Sequence, residues 1–329
     1  SSGRIPGRTR QRTRFAAFTR ASAGGLLPIR ATRWCPIPAL ASLTMRPFAE
    51  SRVSSMSNLA RPQAAILIPH FRTLQLTQLC LRSLRKYTDL ARVEVIVIDN
   101  GSRDASTEYL RRLSWIALIE REPLPGESVA EAHSRALDLG MTRVTAPYVI
   151  SMHTDTIVIS PRWLDYLLEQ IATDSRIAGV GSWKLEFKPW YRRAAKRLES
   201  TWLSMLPTSR KRCTQQGTGG SDGRGRYLRS HCALYRTDLL RGLALSFDEN
   251  EVAGKVLHEK LVQQGFTMKF LDIHGLAMHL RHINHATMVL NPDIAGRKTG
   301  SEAERRRVRR ELERLDYRNI LHDASLDDA

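Results

Sequence analysis

The chain is 329 residues long, 42% of its residues are hydrophobic, and its formal net charge is +18. This length and apolar content allow one large domain or two small ones with a substantial core. Residues 1–60 and residues 184–230 carry a charge of +9 each, so the remainder of the chain is neutral. The basic balance therefore describes one arm and one internal segment, and it excludes a protein that coats nucleic acid with its whole surface.

The four cysteines are far apart and form no CxxC pair. This spacing argues against a cysteine zinc site and against a disulfide framework. No apolar run approaches the ~20 residues of a membrane span. These observations predict reduced thiols and a cytoplasmic location, with any contact to a bilayer at the periphery.

The arm of residues 1–60 is rich in Arg, Ser, Ala and Pro and has no periodic apolar pattern. Such a segment buries too little surface to offset the entropy of ordering it, so it is predicted to be disordered. Its composition resembles that of an organelle transit peptide. The alternative is translation from codons upstream of the true start, for which Met45 and Met56 are candidates.

Short apolar strands alternate with helical patterns from Ala64 onward. The strands are predicted at Ala64–Pro69, Val93–Asp99, Trp115–Glu120, Tyr148–Met152 and Ile177–Trp183. The helices are predicted at Leu74–Tyr87, at Glu127–Leu139 with Gly140 as the C-cap, and from Pro161. This alternation predicts right-handed βαβ units and a largely parallel sheet.

The loops that follow the strands exclude some classes of protein with this fold. The first strand runs into Pro69-His70-Phe71-Arg72 instead of a GxGxxG turn, and no GxxxxGK[ST] is present, so both phosphate-loop classes are excluded. Two strands end instead in carboxylates, Asp99 and Asp155, which a parallel sheet would bring to one edge. This arrangement fits a nucleotide held by Asp99 and a metal-bound diphosphate held by Asp155. The alternative for Asp155 is a turn residue that satisfies backbone donors.

Three segments, AILIPHF, VIVIDNGSRD and ISMHTDT, resemble in this order the inverting family 2 glycosyltransferases of GT-A fold. The resemblance covers Ala64 to Trp183 and continues more weakly to Pro292. It implies a GT-A-like α/β fold, with a mostly parallel central sheet flanked by helices. The predicted domains are the extension 1–60, a glycosyltransferase domain 61–292 (nucleotide-binding half 61–183, acceptor half 184–292) and a charged helical tail 293–329, solvated or facing a partner.

The resemblance assigns the nucleotide site to residues that follow the first two strands. Pro69, His70 and Phe71 match the loop that packs on the nucleobase, and Asp99 matches the acid that binds the base or the ribose. The further candidates are Gly101 in the turn after Asp99, Asp104, and Arg135 near the phosphates. The segment around Arg135 departs from the family pattern Asn-x-Gly-x-x-x-Ala-x-Asn, so an ordinary position on a helix surface is the alternative for this residue.

Asp155 matches the last acid of the family's metal motif, which implies a divalent cation, Mn²⁺ or Mg²⁺, as cofactor. His153 stands where the family carries the first acid of that motif, and this departure leaves the metal preference open. The family also places a His after the acceptor helix, for which the candidates are His279, His282 and His285. No Cys or acid joins these histidines at zinc-ligand spacing.

An acidic cluster that precedes the acceptor helix supplies the candidates for the general base. This helix is predicted to begin near Glu251 and to end at Gly265. The resemblance implies that one carboxylate here takes the proton of the acceptor hydroxyl, with Glu251 first and Glu249 and Asp248 behind it. The alternative is acid enrichment that stabilises a helix N-terminus.

Residues 184–230 combine the basic charge with Trp190, Tyr191 and Trp202 and with a glycine-rich stretch. Such a segment suits an anionic sugar, a diphosphate or membrane headgroups, and its glycines suit a loop that closes over the donor. The alternative is a solvated basic helix followed by a mobile loop. Specific binding of nucleic acid is not predicted, because no recognition module accompanies the charge.

These features together predict a glycosyltransferase of the hexosyltransferase type. It would move a sugar from a nucleotide-diphosphate donor, with inversion and metal assistance, to a glycan, a lipid-linked or a small-molecule acceptor. One alternative is a catalytically silent nucleotide-sugar-binding protein of the same fold, which the substitution at His153 favours. The other is a nucleotidyltransferase, although its Gly-rich, basic signature after the first strand is absent.

Overall fold

The centre of the protein is a seven-stranded sheet, and two further strands form a small second sheet. The computed structural model describes residues 61–183, 226–248, 252–283, 286, 289, 301–314 and 317–328. The strands are β1 Ala64–His70, β2 Val93–Asp99, β3 Ala117–Glu120, β4 Tyr148–Met152, β5 Thr156–Val158, β6 Ile177–Gly181, β7 Cys232–Arg236, β8 Thr267–Phe270 and β9 Leu280–His282. The arm 1–60 and the segment 184–225, for which disorder and a closing loop are predicted, lie outside the described residues.

The strand order in the main sheet is β3-β2-β1-β4-β7-β6-β8, and β5 pairs with β9 in the small sheet. In the main sheet β7 is antiparallel to its neighbours β4 and β6, whereas the remaining pairs are parallel. The prediction of a mostly parallel sheet is therefore confirmed. The sequence pattern does not reveal that β7 inserts between β4 and β6 in the opposite direction.

Helices cover both faces of this sheet. They are α1 Leu74–Tyr87, α2 Ala105–Arg112, α3 Val129–Met141, α4 Trp163–Ala172, α5 Thr237–Gly242, α6 Lys255–Gln263, α7 Ile273–Ala277, α8 Glu302–Arg314 and α9 Tyr317–His322, with 3₁₀ turns at Leu90–Arg92 and Ala324–Asp327. In β1, Ile66 and Ile68 pack with α1, while Leu67 packs on the other face with Leu137 of α3. A strand covered on both faces must be apolar at every position, which explains its uninterrupted hydrophobic sequence.

Helix α3 differs from its prediction at both ends. It begins after Ser128, whose side chain accepts a hydrogen bond from the backbone of Glu131, while Glu131 caps Ser128 in return. Gly140 is not the C-cap, because the helix continues to Met141. A Cβ at Gly140 would lie 3.0 Å from side-chain carbons of both Ile98 and Leu67. Glycine at this position therefore allows the helix to pack closely on the sheet.

The acceptor helix, α6, begins at Lys255 and not near Glu251. Gly254 precedes it with a φ of 80°, a conformation that glycine adopts without strain. Gly265, the predicted end, has a φ of 85° and follows the last turn of the helix. The carboxyl end of this helix is therefore predicted correctly and its start is not.

The charged tail folds back onto the domain. Val308 of α8 and Ile320 of α9 are buried with Leu76 and Leu79 of α1. Asp327 forms an ion pair with Arg82 and accepts a hydrogen bond of 2.7 Å from the Tyr109 hydroxyl. The tail was predicted to be solvated or to face a partner, and this prediction is wrong for the apolar side of these helices, which packs on α1 of the same chain. The domain boundaries remain predictions. Among the described residues, no helix is long and apolar enough to cross a membrane.

Candidate active site

Asp99 ends strand β2, and its carboxylate is only 2% exposed. Its Oδ1 accepts a hydrogen bond of 3.1 Å from the backbone N–H of Ser102 and another from the Ser102 hydroxyl. Its Oδ2 accepts a hydrogen bond of 2.6 Å from the hydroxyl of Thr107. These donors fix the orientation of the carboxylate.

A cleft of about 270 Å³ opens beside Asp99 at the carboxyl ends of β2 and β3. Arginines and acids alternate along its wall, and the lining includes Gly101, Arg103, Asp104, Arg111 and Arg121. Gly101 has a φ of 72°, and a Cβ there would lie 2.7 Å from Cδ of Pro123. The turn therefore requires glycine, and it keeps the wall of the cleft open next to the carboxylate.

Asp104 caps the N-terminus of α2, where its side chain accepts a hydrogen bond of 2.9 Å from the backbone N–H of Ser106. It also lines the cleft beside Asp99. A capping role explains its position without a ligand. Asp104 is thus close to the proposed nucleotide site, and its contribution to binding stays a prediction.

The Pro69-His70-Phe71 segment lies at the end of β1, next to Asp99. Pro69 and His70 are buried in the strand, whereas Phe71 is partly exposed and the guanidinium of Arg72 lies 4.8 Å from its ring centroid. The imidazole of His70 bonds the hydroxyls of Ser106 at 2.8 Å and Thr77 at 2.9 Å. Both ring nitrogens are therefore engaged inside the protein, which leaves Phe71 as the side chain of the three that offers an accessible surface to a nucleobase.

Burial lowers the pKa of His70 to about 4, although Asp99 and Asp104 oppose the shift. Since a His in the unfolded chain titrates near 6.5, the unfolded state binds a proton that the folded state lacks between pH 6.5 and 4. The stabilisation is complete above pH 6.5 and is lost as the pH falls, by about 1.4 kcal/mol per pH unit for this group.

We expect a His70→Gln variant to show a weaker loss of unfolding free energy between pH 6.5 and 4.5 than the wild type. Urea titrations at several pH values measure this difference. A His322→Gln variant, changed at an exposed residue, is the matched control and should keep the wild-type slope. Equal slopes for the wild type and His70→Gln would contradict the prediction.

Arg135 lies in an ion-pair network and not at an open anion site. Its Nε donates to Oδ2 of Asp248 at 2.9 Å, and its Nη1 donates to Oε1 of Glu127 at 2.9 Å. Glu127 also pairs with Arg121, whose other nitrogen donates to Asn100 Oδ1 at 2.9 Å. The network links the end of β2 to Asp248 in the acceptor half. Arg135 therefore positions acidic residues here, and its predicted contact with phosphate is a proposal that this geometry does not favour.

Asp155 lies three residues beyond the end of β4 and is 3% exposed. Its Oδ1 is 3.1 Å from Nε2 of His282 and 3.7 Å from Nδ1 of His153. Its Oδ2 accepts a hydrogen bond of 3.2 Å from the backbone N–H of Ala286. Strands β5 and β9 hold this arrangement, because Thr156 and His282 are paired in the small sheet.

The ligand atoms of His153, Asp155 and His282 all lie within 4.8 Å of one another, and these are the residues that could hold a metal ion in the described part of the chain. Asp155 Oδ1 and both ring nitrogens of His282 are buried and lack a hydrogen-bond partner of good geometry. Buried polar atoms without partners are rare and costly. Asp155 Oδ1 and one of the unpartnered nitrogens of His282, together with a nitrogen of His153, form a set that fits a divalent cation.

The protonation states agree with this fit. Burial opposes the charge of Asp155, but His282 and His153 outweigh it and hold the pKa of the carboxyl well below its usual range. Burial also lowers the pKa of His153, an effect that its contact with Asp155 only partly offsets. An ionised Asp155 carboxylate and a neutral His153 imidazole present the lone pairs that a metal ion requires.

Two further histidines surround this group and were missed in the sequence. The ring of His231 stacks on that of His282 with centroids 4.7 Å apart, and the ring of His133 contacts that of His153 edge-on at 4.8 Å. Burial, with a smaller effect of His153, lowers the pKa of His133 to about 3. His133 lies on α3 and His231 just before β7, so nothing in the local pattern brings either of them to Asp155.

Of the remaining candidates, His279 lies outside the group around Asp155. Its Nδ1 is 3.1 Å from Oγ of Ser160, and its ring stacks on Tyr166 with centroids 4.8 Å apart. His279 is therefore not placed as a metal ligand. Glu249, Glu251 and His285 lie outside the described residues, so their roles remain predictions.

A mostly parallel sheet flanked by helices, with buried carboxylates at the end of β2 and just after β4, has the architecture of the GT-A glycosyltransferases. The family model described as "Glycosyl transferase family 2" matches residues 65–243. The protein belongs to this family and is a glycosyltransferase. A search of curated proteins finds no significant match.

Several solved structures resemble the fold at low identity. One is the mannosyltransferase PcManGT from Pyrobaculum calidifontis in complex with GDP-Man and Mn²⁺, with a TM-score of 0.47, 16% identity, and coverage of 80% of this chain and 71% of that one. Another is residues 1–349 of S. aureus TarS, with a TM-score of 0.43, 14% identity, and coverage of 64% and 58%. A third is glucosyl-3-phosphoglycerate synthase from Mycobacterium tuberculosis with phosphoglyceric acid, with a TM-score of 0.32, 19% identity, and coverage of 55% and 59%. At these scores the similarities establish neither substrate nor mechanism.

Proposed function

We propose that this glycosyltransferase moves a hexose-type sugar from a nucleoside-diphosphate donor to an acceptor hydroxyl, with inversion and with the help of a divalent cation. The observation that carries the proposal is the pair of buried carboxylates at one edge of the sheet. Asp99 is the last residue of β2, and Asp155 follows the end of β4 by three residues. Strand β1 pairs in parallel with both strands, so their carboxyl ends lie roughly 10 Å apart. A nucleoside diphosphate spans such a distance.

In this proposal the cleft beside Asp99 binds the nucleoside. The carboxylate of Asp99, fixed by Ser102 and Thr107, accepts hydrogen bonds from the base or the ribose, and Phe71 packs against the base. Arg103 and Arg121 line the same cleft, where they are paired with Glu122 and Glu127. The donor is thereby oriented with its diphosphate toward Asp155.

His153, Asp155 and His282 would hold the cation. When bound, the ion neutralises charge on the departing nucleoside diphosphate as a Lewis acid. Mn²⁺ fits this ligand set better than Mg²⁺, because two of the three ligand atoms are imidazole nitrogens and Mg²⁺ prefers oxygen.

The general base is proposed among the acids that precede α6. A carboxylate there takes the proton of the acceptor hydroxyl while the hydroxyl oxygen attacks the anomeric carbon, on the face opposite the departing diphosphate. The carboxylate of Asp248 already has a partner, because its Oδ2 is 2.9 Å from Nε of Arg135. Glu251, with Glu249 behind it, therefore stays the preferred candidate.

A catalytically silent protein that binds nucleotide sugars is the second candidate function. The observation that favours it is the engagement of Asp248 by Arg135, together with His153 at the position of an acid. Both candidates predict donor binding, and only the first predicts turnover.

The deciding experiment incubates the protein with UDP-, GDP- and dTDP-sugars and Mn²⁺, and it monitors both sugar release and binding by thermal shift. Glycan, lipid-linked and small-molecule acceptors are then added to the donor that binds. Donor-dependent release or transfer, with an anomeric configuration opposite to that of the donor, supports the proposal. Binding without any turnover supports the silent protein, and a donor that neither binds nor reacts overturns both.

A further inference from the structure

His153 is held on the side of its ring that faces away from Asp155. Its Nε2 lies 2.9 Å from the hydroxyl oxygen of Ser230, while its Nδ1 faces Asp155 Oδ1. The side chain of His153 is 33% exposed, so packing alone does not fix its ring. The hydrogen bond to Ser230 is the directional contact that orients it.

The same hydroxyl also contacts His133, whose Nε2 is 3.2 Å from Oγ of Ser230. A hydroxyl has one proton, so it donates to one of these rings and accepts from the other. If His153 Nδ1 offers its lone pair toward Asp155, the ring proton of His153 is on Nε2 and is donated to Ser230. Ser230 then donates to His133 Nε2, so each proton between His153, Ser230 and His133 has one acceptor.

The opposite arrangement leaves a proton on Nδ1 of His153. This proton would face Asp155 Oδ1 at 3.7 Å, and it would have to leave Nδ1 before that nitrogen could bind a metal ion. Either arrangement keeps the hydrogen bond between Ser230 and Nε2 of His153, so the shared hydroxyl holds Nδ1 toward Asp155 in both. The partner of a ligating imidazole commonly sets its tautomer and its orientation.

The second imidazole ligand, His282, has no hydrogen-bond partner of good geometry on either ring nitrogen, and its ring is held by stacking. His282 stacks on His231 with an interplanar angle of 19°, and Nε2 of His231 lies 3.0 Å from the hydroxyl of Ser182. Both nitrogen ligands are therefore oriented by neighbours before any ion arrives. Sites that present nitrogen in this way suit first-row transition ions, whereas Mg²⁺ requires oxygen ligands.

We propose that Ser230 is a positioning residue that directs Nδ1 of His153 toward Asp155, and that this Ser230–His153 pair makes the centre selective for transition ions over Mg²⁺. The inference rests on the metal site of the proposed function. It goes further because it assigns the ion preference to two residues. One is His153, which stands at the position of an acid, and the other is Ser230, whose hydroxyl belongs to no metal-ligand motif.

The test measures metal binding by the full chain without any sugar donor. Free Mn²⁺ is followed by electron paramagnetic resonance during titration, Mg²⁺ is used as the competitor, and Co²⁺ is followed by its visible absorption spectrum. The variants are Ser230→Ala, Ser230→Thr and His153→Asp. Ser160→Ala is the matched control, because it removes a Ser–His hydrogen bond to His279 outside the cluster.

We expect Ser230→Ala to weaken Mn²⁺ binding by about 10- to 100-fold, and Ser230→Thr and Ser160→Ala to bind as the wild type does. His153→Asp should lower the preference for Mn²⁺ over Mg²⁺ by roughly tenfold, because an oxygen ligand replaces nitrogen. Unchanged Mn²⁺ affinity in Ser230→Ala, or an unchanged ion preference in His153→Asp, overturns the inference. If Ser230→Ala does not fold, the ion preference of His153→Asp decides.

The failure of this inference is distinct from the failure of the proposed function. A wild-type protein that transfers sugar and binds Mg²⁺ as tightly as Mn²⁺ would refute the selectivity alone. A protein that binds Mn²⁺ selectively and never turns over a donor would refute the enzyme and leave the metal centre in place.

Discussion

An Asp155→Asn variant is expected to lose about 10³-fold in kcat/KM for sugar transfer, which corresponds to about 4 kcal/mol of transition-state stabilisation. Asparagine has nearly the same shape and can still accept the hydrogen bond from the backbone of Ala286. The negative charge that faces His153 and His282 is removed, so the cation loses its carboxylate ligand. Transfer kinetics measure the loss, and thermal unfolding measures whether the fold is kept.

The matched control for this experiment is Asp272→Asn. Asp272 also accepts a backbone hydrogen bond, from Gly275 at 2.9 Å, but it is exposed at the start of α7. This variant should transfer sugar at close to the wild-type rate. An Asp155→Asn protein that keeps more than about a tenth of the wild-type activity, a difference of only 1.4 kcal/mol, would show that the carboxylate is a turn residue, as the alternative from the sequence holds.

An Asp99→Ala variant is expected to raise the KM for the donor by about 10- to 100-fold, with a smaller change in kcat. The reason is that a charge-assisted hydrogen bond to the nucleoside contributes about 1.5–3 kcal/mol and acts in the ground state as well as in the transition state. The substitution also leaves the Ser102 N–H and the Thr107 hydroxyl without their acceptor. Steady-state kinetics over a range of donor concentrations separate the effects on KM and kcat.

Thr107→Val is the matched control for Asp99→Ala. It removes one hydrogen bond from Asp99 Oδ2 and keeps the carboxylate, so the expected increase in KM is much smaller. An Asp99→Ala protein with an unchanged KM would place the nucleoside elsewhere. A loss confined to kcat would assign Asp99 to the chemical step and not to binding.

The individual strands and the two carboxylates at or just beyond their ends could be predicted from the sequence. Strands β1, β2 and β4 read as continuous apolar runs because both of their faces are buried, and Asp99 and Asp155 interrupt that pattern at the end of β2 and just beyond β4. The family resemblance depends on the same short segments. Local chemistry specifies these features, so periodicity alone is enough to find them.

The helix boundaries were harder to predict. Glycine is common at a helix C-cap, but Gly140 lies inside α3, where Leu67 and Ile98 leave no room for a side chain. The reason for this glycine is a contact between a helix and a sheet, which local sequence does not encode. The same holds for the tail, where Val308 and Ile320 are isolated apolar residues in a charged stretch until α1 covers them.

The amino-acid sequence by itself determined the class of fold, and it predicted Asp99 and Asp155 as the acids of a ligand site at one edge of the sheet. Only the tertiary structure decided which histidines join Asp155. Ser230 is 77 residues from His153 and 97 residues from His133 along the chain, and the strand pairing of β4 with β7 brings these residues together. Contacts over such separations depend on how strands are ordered in space. The formation of a strand and the position of its last residue depend instead on a few neighbours in sequence.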